Sequence, residues 1–430
     1  MVKKEGAPKD GKGTASKVTS GKGTANKAVT GKWMKSKILK KKEEQRNEAI
    51  ASALYDNKST EILKTEGGGY LEPEGMERTY RMKQDKLKKE VDLNTQRKIF
   101  SLTLDQFGPY QVQFDRPGRH LLLGGEKGHL AMMDALKQEL ICEFHVDDRI
   151  YDIQFLHDWD MFATAQTKYL HIYDSQGTEL HCMRTYPRPR HLEFLPYHYL
   201  LVTASDFGEL RYLDVSTGET ANAKRTYMGN PTCMTQNPHN AVILLGSSRG
   251  QISMWSPNQP KSLVTMLCHR GPVLAAAVDL EGKYLVTTGG DSKMKIWDIR
   301  TYEQLYEYTM PVPVRTLALS QRNMLSMGVG ACVNSYANVF AGKITAPYMS
   351  ESIAGHKLES LAFRPFEDQL VAGFDNGLQS MVIPGAGEAN IDTYELNPYE
   401  TTKQRRERNV QKLLDKLRPE QIVLNPDELF

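Results

Sequence analysis

From about residue 97 onward, apolar and polar positions alternate in short runs, and each run ends at Gly, Asn, Asp or Ser. A period of two cut by turn residues is the pattern of strands with one side facing a core. The clearest unit is CHRGPVLAAAVDLEGKYLVTTGGDSKMKIWDIRTYEQLYEY (268–308). It predicts a strand over Val273–Val278, a Glu281-Gly282 turn and a second strand over Tyr284–Thr288. A third strand sets Met294 and Ile296 against Lys293 and Lys295 and ends at Trp297-Asp298, and a fourth covers 304–308. Four short strands closed by Trp-Asp are the signature of a WD40 propeller blade.

Positions equivalent to that pair recur every 40 to 43 residues: Met133-Asp134, Tyr173-Asp174, Leu213-Asp214, Trp255-Ser256, Val339-Phe340 and Val382-Ile383. Seven units fill residues 97–390, a number that closes a ring without free sheet edges. The fold class is therefore all-β, a seven-bladed WD40 β-propeller with basic, partly helical extensions at both ends. Only the fifth unit keeps the full polar set of His269, Thr287, Asp291 and Trp297. In WD repeats these side chains hydrogen-bond to one another, so their expected role is structural.

The pattern changes at both ends. Residues 1–33 are rich in Lys, Gly, Ser and Thr, and 11–40 repeat every ten residues (GKGTASKVTS, GKGTANKAVT, GKWMKSKILK), with Lys12, Lys22 and Lys32 in register. Too little apolar surface is present there to offset chain entropy, which predicts disorder. The 34–96 extension reads as helical: one helix over about 34–54, a short one over 59–64, and another over 73–91 with a thin stripe of Met76, Tyr80, Leu87 and Val91. That last helix either lies on the body's own surface or docks on a partner. In the 391–430 extension, Asn397-Pro398 reads as a helix start. Val410, Leu413, Leu414 and Leu417 form an amphipathic stripe on a helix over about 400–417, stopped by Pro419. The stripe awaits a protein partner or the propeller itself.

Charge sharpens the picture of the ends. Residues 1–46 hold 13 Lys and Arg46 against Glu5, Asp10, Glu43 and Glu44, a net +10 in a chain of net +3, which leaves −7 for the remainder. A basic arm on a mildly acidic body suits a polyanion such as RNA, through Lys12, Lys22, Lys32 and the Lys40-Lys41-Lys42 run; a solubilising tail or an import signal are the plainer alternatives. The tail helix adds Arg405, Arg406 and Arg408 as candidate phosphate contacts.

Chemistry is harder to find. Gly6-x4-Gly11-Lys12 imitates a phosphate-binding loop, but Gly13 stands where a Mg²⁺-binding hydroxyl is required. The five Cys contain no C-x-x-C pair, and His181-Cys182 and Cys268-His269 are neighbours whose side chains point to opposite sides of a strand. Asp158-Trp159-Asp160 occupies a turn, where polar residues are expected. No window of about 18 uncharged apolar residues occurs, and the N-terminus lacks the apolar stretch of a secretory signal. These features predict a protein of reducing compartments with no catalytic site, no metal, no cofactor, no membrane span and no small-molecule substrate.

Several stretches are similar to a known family: GYLEPEGMERTYRMKQDKLKKEVDLNTQRK, GRHLLLGGEKGHLAMMD, LEFLPYHYLLVTA, MTQNPHNAVILLGSSRGQISMWSPN, MLCHRGPV and NPYETTKQRRERNVQKLLDKLRPEQIVL. They resemble the U3 small nucleolar RNA-associated protein 7 family, called WD repeat-containing protein 46 in animals. The resemblance runs from about Gly69 to Pro426 and leaves out the ten-residue repeat. It implies a nuclear, nucleolar scaffold of the small-subunit processome that supports U3-dependent early cleavages and 18S rRNA maturation. The implied partners are pre-ribosomal RNA, U3 RNA and other processome proteins. Two other classes stay open at this point: a substrate receptor of a ubiquitin ligase or similar docking propeller, and an enzyme using the central channel.

Overall fold

The structure, a computed structural model, describes residues 37–61, 67–73, 75–353, 356–390, 392, 397 and 400–425. It divides into two compact units, 1–63 and 64–430. In the first, Lys37–Glu61 is one continuous helix. The expected break near residue 55 does not occur: polar helix positions such as Asn57 and Ser59 cost only tenths of a kcal/mol each, too little to interrupt a long helix.

The second unit carries seven four-stranded antiparallel sheets, one per blade. Six are simple meanders from an inner first strand to an outer fourth: Tyr110–His145, Ile150–Met183, Pro189–Arg225, Pro231–Leu267, Val273–Thr309 and Leu317–Ser352. The seventh blade takes its first three strands from Leu358–Phe363, Gln369–Phe374 and Gly377–Val382. Its outer strand is Ser101–Thr103, from the other end of the ring, with Leu102 opposite Leu378. The inner strands touch in a closed cycle from blade to blade and back from the seventh to the first. Neighbouring blades cover both faces of each sheet, so second strands such as His120–Gly125, Leu200–Ser205 and Gln369–Phe374 are buried throughout. Outer strands such as Thr220–Arg225 lie on the rim and are mostly exposed.

The fifth blade follows the expected register, with Leu285 opposite Trp297. Its first turn needs Gly282, at φ +70°, where an added Cβ would stand 2.6 Å from the Asn237 side chain of the fourth blade. Two pair positions shift. In the sixth blade Leu325 pairs with Tyr336, which puts the equivalent of Trp-Asp at Tyr336-Ala337, upstream of Val339-Phe340. In the seventh Leu370 pairs with Met381, so the pair is Met381-Val382. Apolar content alone does not fix register: Val339 is fully buried and Phe340 stacks on Tyr284 at 4.6 Å, although both lie beyond the strand.

In each meander the turns joining first to second and third to fourth strands lie on one side of the ring. The second-to-third turns and the connections between blades lie on the other. Both extensions of this unit dock on the first side. The expected helix over 73–91 is instead a 3-10 turn, Thr79–Arg81, and a short helix, Gln84–Glu90, followed by a helix over Leu93–Lys98. Packing decides this: Leu87 is buried against the sixth and seventh blades while Met76 is fully exposed. The Gln84 side chain both donates to the Val382 carbonyl (2.9 Å) and accepts from the Val382 N–H (3.0 Å), so it extends the sheet by one residue. The stretch therefore lies on the body's own surface.

Candidate nucleic-acid and partner interface

The tail helix runs over Thr402–Leu414. It starts at Thr401 rather than at Asn397-Pro398, of which Pro398 lies outside the described residues. Thr401 accepts from the Gln404 N–H (3.3 Å) and Gln404 Oε1 accepts from the Thr401 N–H (2.9 Å), a reciprocal cap. The helix stops before Leu417 because the Leu417 N–H donates to the Tyr197 carbonyl (2.9 Å), which draws the chain onto the third blade.

Docking then continues across three blades. Asn409 donates to Asp158 of the second blade (3.1 Å), and Lys416 pairs with Asp214 of the third. Ser256 and Asn258 of the fourth donate to the Ile422 carbonyl (2.6 and 3.1 Å), and Asn240 donates to that of Leu424 (3.0 Å). Ile422 is fully buried within the core cluster of the third to fifth blades. Sequence periodicity missed it because a lone apolar residue after a helix has no repeat to betray it.

The four-residue stripe does not form one free face. Val410 and Leu413 line an apolar cavity of about 310 Å³ with His157, Met161, Tyr199 and Val215 of the second and third blades. Leu414 is 74% exposed, and Leu417 stands in the stretch that follows the helix. The arginines also divide. Arg408 Nη1 lies 3.0 Å from the buried Glu400 carboxylate and Arg405 Nε 3.9 Å from it, while Arg406 is exposed. Arg405 also faces Asp160, where burial raises the carboxyl above its usual range, the Asp158 charge adds to that, and Arg405 opposes it. The turn carboxylates thus seat the tail. Lys12, Lys22 and Lys32 lie outside the described residues; Lys40, Lys41 and Lys42 are exposed on the first unit's helix.

In the fifth blade, His269 Nε2 and the Trp297 indole N–H both meet Thr287 Oγ1 (2.9 and 3.1 Å), and His269 Nδ1 lies 3.1 Å from Asp291. Burial lowers the His269 pKa, and Asp291 only partly offsets this. A neutral ring buried among its partners ties loop, strand and turn together.

Other polar clusters have structural explanations. His120 Nδ1 lies 2.8 Å from the buried Asp115, and its ring stacks on Trp159 of the second blade at 4.5 Å, which pins the turn between them. Sequence adjacency hid one juxtaposition: Cys182 stands opposite His171 across two strands, with Sγ 3.9 Å from Nε2. Glu179 approaches the other ring nitrogen, Nδ1, at 3.5 Å. One ring nitrogen, the thiol and the carboxylate lie within 4.8 Å of one another, so the three groups offer three ligands, one short of a closed tetrahedral set.

The central channel, about 770 Å³, is lined by the inner strands of all seven blades. Burial pushes Asp152 up to about 7 and Glu193, which lines the channel, up to about 8. Asp152 accepts from the N–H groups of Ile153 (3.0 Å) and Leu192 (2.8 Å), so its carboxylate joins two blades.

The comparisons decide the family. The sequence model of the BING4CT (NUC141) domain matches residues 347–425, and that of the nucleolar protein 10-like N-terminal domain matches 111–300. U3 small nucleolar RNA-associated protein 7 of Saccharomyces cerevisiae is 43% identical over 408 residues, which cover 91% of this chain and 73% of that protein. The chain belongs to this family. WD repeat-containing protein 46 of Homo sapiens is 45% identical over 375 residues, 86% of this chain and 61% of the relative; the Caenorhabditis elegans protein of that name is 41% identical over 397 residues, 92% and 67%. The chain thus spans less than two thirds of the human relative's length. The BING4CT match runs from the last strand of the sixth blade to Asn425, so it takes in the docked tail together with the blade that the N-terminal strand completes.

Proposed function

We propose that this protein is a non-catalytic scaffold subunit of the small-subunit processome, acting in the nucleus at the nucleolus to support U3-dependent early pre-rRNA processing and 18S rRNA maturation. Its partners on this reading are pre-ribosomal RNA, U3 small nucleolar RNA and neighbouring processome proteins. The observation that carries the reading is 43% identity, through propeller and tail alike, to a protein named for association with U3 RNA. The geometry supports it: a closed ring carries two docked extensions, and the Asp152 and His120–Asp115 groups are occupied in joining blades. Exposed Lys40, Lys41, Lys42 and Arg406 offer sites for phosphate.

Purification of the tagged protein from nuclear extract, with RNA sequencing and mass spectrometry, tests the proposal. U3 RNA, 5′ pre-rRNA sequences and processome subunits are the expected co-purifying species. Recovery of ubiquitin-ligase adaptors without U3 RNA would overturn it.

A further inference from the structure

Both extensions of the propeller unit dock on one side of the ring, so partners meet the propeller most directly on the other side. Its chemistry is uneven. Around the second to fifth blades, Lys168, Arg188, Arg249 and Arg270 are exposed and have no ion-pair partner among the described residues. Among them stand Phe207 (59% exposed) and Tyr227 (89% exposed). Two acids of this sector are occupied, Asp206 by Arg190 at 3.3 Å and Asp291 by His269, while Asp147 and Asp148 stand at its edge on the connection into the second blade. The second-to-third turns of the fifth, sixth and seventh blades, Gly290-Asp291-Ser292, Gly330-Ala331 and Asp375-Asn376, carry no cation, and the connection into the sixth blade carries one, Arg315.

The loops bearing these groups are laced together. The Arg188 N–H donates to the Lys168 carbonyl (2.9 Å), Asp206 N–H to that of Arg188 (3.1 Å), and Thr226 N–H to that of Gly208 (2.9 Å). Arg188 lies over the Phe207 ring at 5.2 Å from its centre. The platform is thus held in place before any ligand arrives. Neither ring is buried in the propeller, and large exposed aromatics between unpaired cations match the requirements of single-stranded nucleic acid. Bases stack on rings whatever their sequence, and cations neutralise the backbone.

We propose that this face, centred on Phe207 and Tyr227, binds single-stranded RNA by stacking, with Lys168, Arg188, Arg249 and Arg270 on the phosphates. The inference rests on the processome reading and specifies which surface of the ring meets RNA.

The test uses the full chain with a single-stranded oligouridine probe and a duplex RNA of equal length as control. Ultraviolet cross-linking and peptide mass spectrometry should recover Phe207 and Tyr227 peptides. Replacing both rings (Phe207→Ala with Tyr227→Ala) should weaken single-strand binding by about 10-fold or more. Duplex binding through the basic arm and thermal melting should stay unchanged. Arg188→Glu with Arg249→Glu should flatten the salt dependence, by about 0.7 in log K per lost phosphate contact for each tenfold change in salt. Cross-links confined to residues 1–46 or to the tail, equal binding by the double aromatic variant, or cross-links from this face to protein alone would each overturn it. A chain that co-purifies with U3 RNA but gives no cross-link here sinks this inference and leaves the functional reading intact. Failure to recover U3 RNA sinks that reading, and the oligouridine experiment still decides the face on its own.

Discussion

Removing the Ile422 side chain should loosen the tail although the residue lies close to the C-terminus. The side chain is fully buried in the core cluster of the third to fifth blades, and its carbonyl is held by Ser256 and Asn258. Ile422→Ala deletes three carbon atoms from a packed site, for which the usual cost is about 2–5 kcal/mol. A terminal segment can detach without unfolding the ring, so this cost falls first on the undocking equilibrium rather than on global melting. Taking about 3 kcal/mol, the undocked population rises about 100-fold at about 1.4 kcal/mol per decade. Trypsin reads this directly, since Arg405, Arg406, Arg408, Lys412 and Lys416 all lie in the docked stretch. When docking is fast relative to cleavage, the cleavage rate follows the open population. The peptides to follow are those from 403–418, because the basic arm is cut independently. A cleavage rate within twofold of the parent would mean that Ile422 does not hold the tail, and the docking account would fail.

Trp297→Ala should cost about 3–5 kcal/mol by leaving a cavity, and Asp291→Ala about 1–3 kcal/mol by stripping His269 of its acceptor, both read as lower melting temperatures. His198 is buried with neither ring nitrogen hydrogen-bonded among the described residues, and burial, reinforced by Lys416, pushes its pKa down to about 4. A lowered histidine pKa means the unfolded chain takes the proton first, so stability falls as pH drops below about 6.5; His198→Leu should recover about 2 kcal/mol at pH 5 relative to pH 8 in denaturant titrations. Glu193 has the opposite sign: raised to about 8, it binds a proton in the folded ring, so stability falls as pH rises from the usual carboxylate range to about 8, and Glu193→Gln should raise unfolding free energy at pH 8 by about 4 kcal/mol with little change at pH 4. Arg406→Glu should weaken RNA association without lowering the melting temperature, whereas Arg408→Glu should release the tail to trypsin because it sets two carboxylates, its own and Glu400's, against each other.

The ring was legible in the sequence because each blade repeats one pattern and every strand pair is local. Period, turn residues and the Trp297-Asp298 landmark located the strands of the fifth blade within a residue or two. Legibility failed where long-range contact overrides local pattern. The outer strand of the seventh blade is Ser101–Thr103, three residues with no apolar signature, recognisable only by what they pair with. The stripe of Met76, Tyr80, Leu87 and Val91 has helical spacing, yet only Leu87 reaches the core, because Gln84 anchors the chain one turn earlier. Arg405, Arg406 and Arg408 look alike in sequence. Glu400 separates them in space, and no spacing rule links a residue outside the helix to one particular face of it.

The two ends of the propeller unit do related work at different places on one side of the ring. Residues 67–98 lie along the sixth, seventh and first blades, with Lys98 paired to Glu367 and the Arg97 carbonyl held by Gln138, and then supply the closing strand. The tail lies along the second, third and fourth. A seven-bladed ring opens most easily at its closure, and each extension adds contacts that span blade boundaries, so opening the ring also costs docked surface. On that side Leu280 and Tyr302 of the fifth blade are exposed. That blade alone keeps the complete His269–Thr287–Asp291–Trp297 network. Its Leu285, Trp297 and Ile299 share one core cluster with Ile422 of the tail, so the internal network and the docked tail reinforce the same part of the ring.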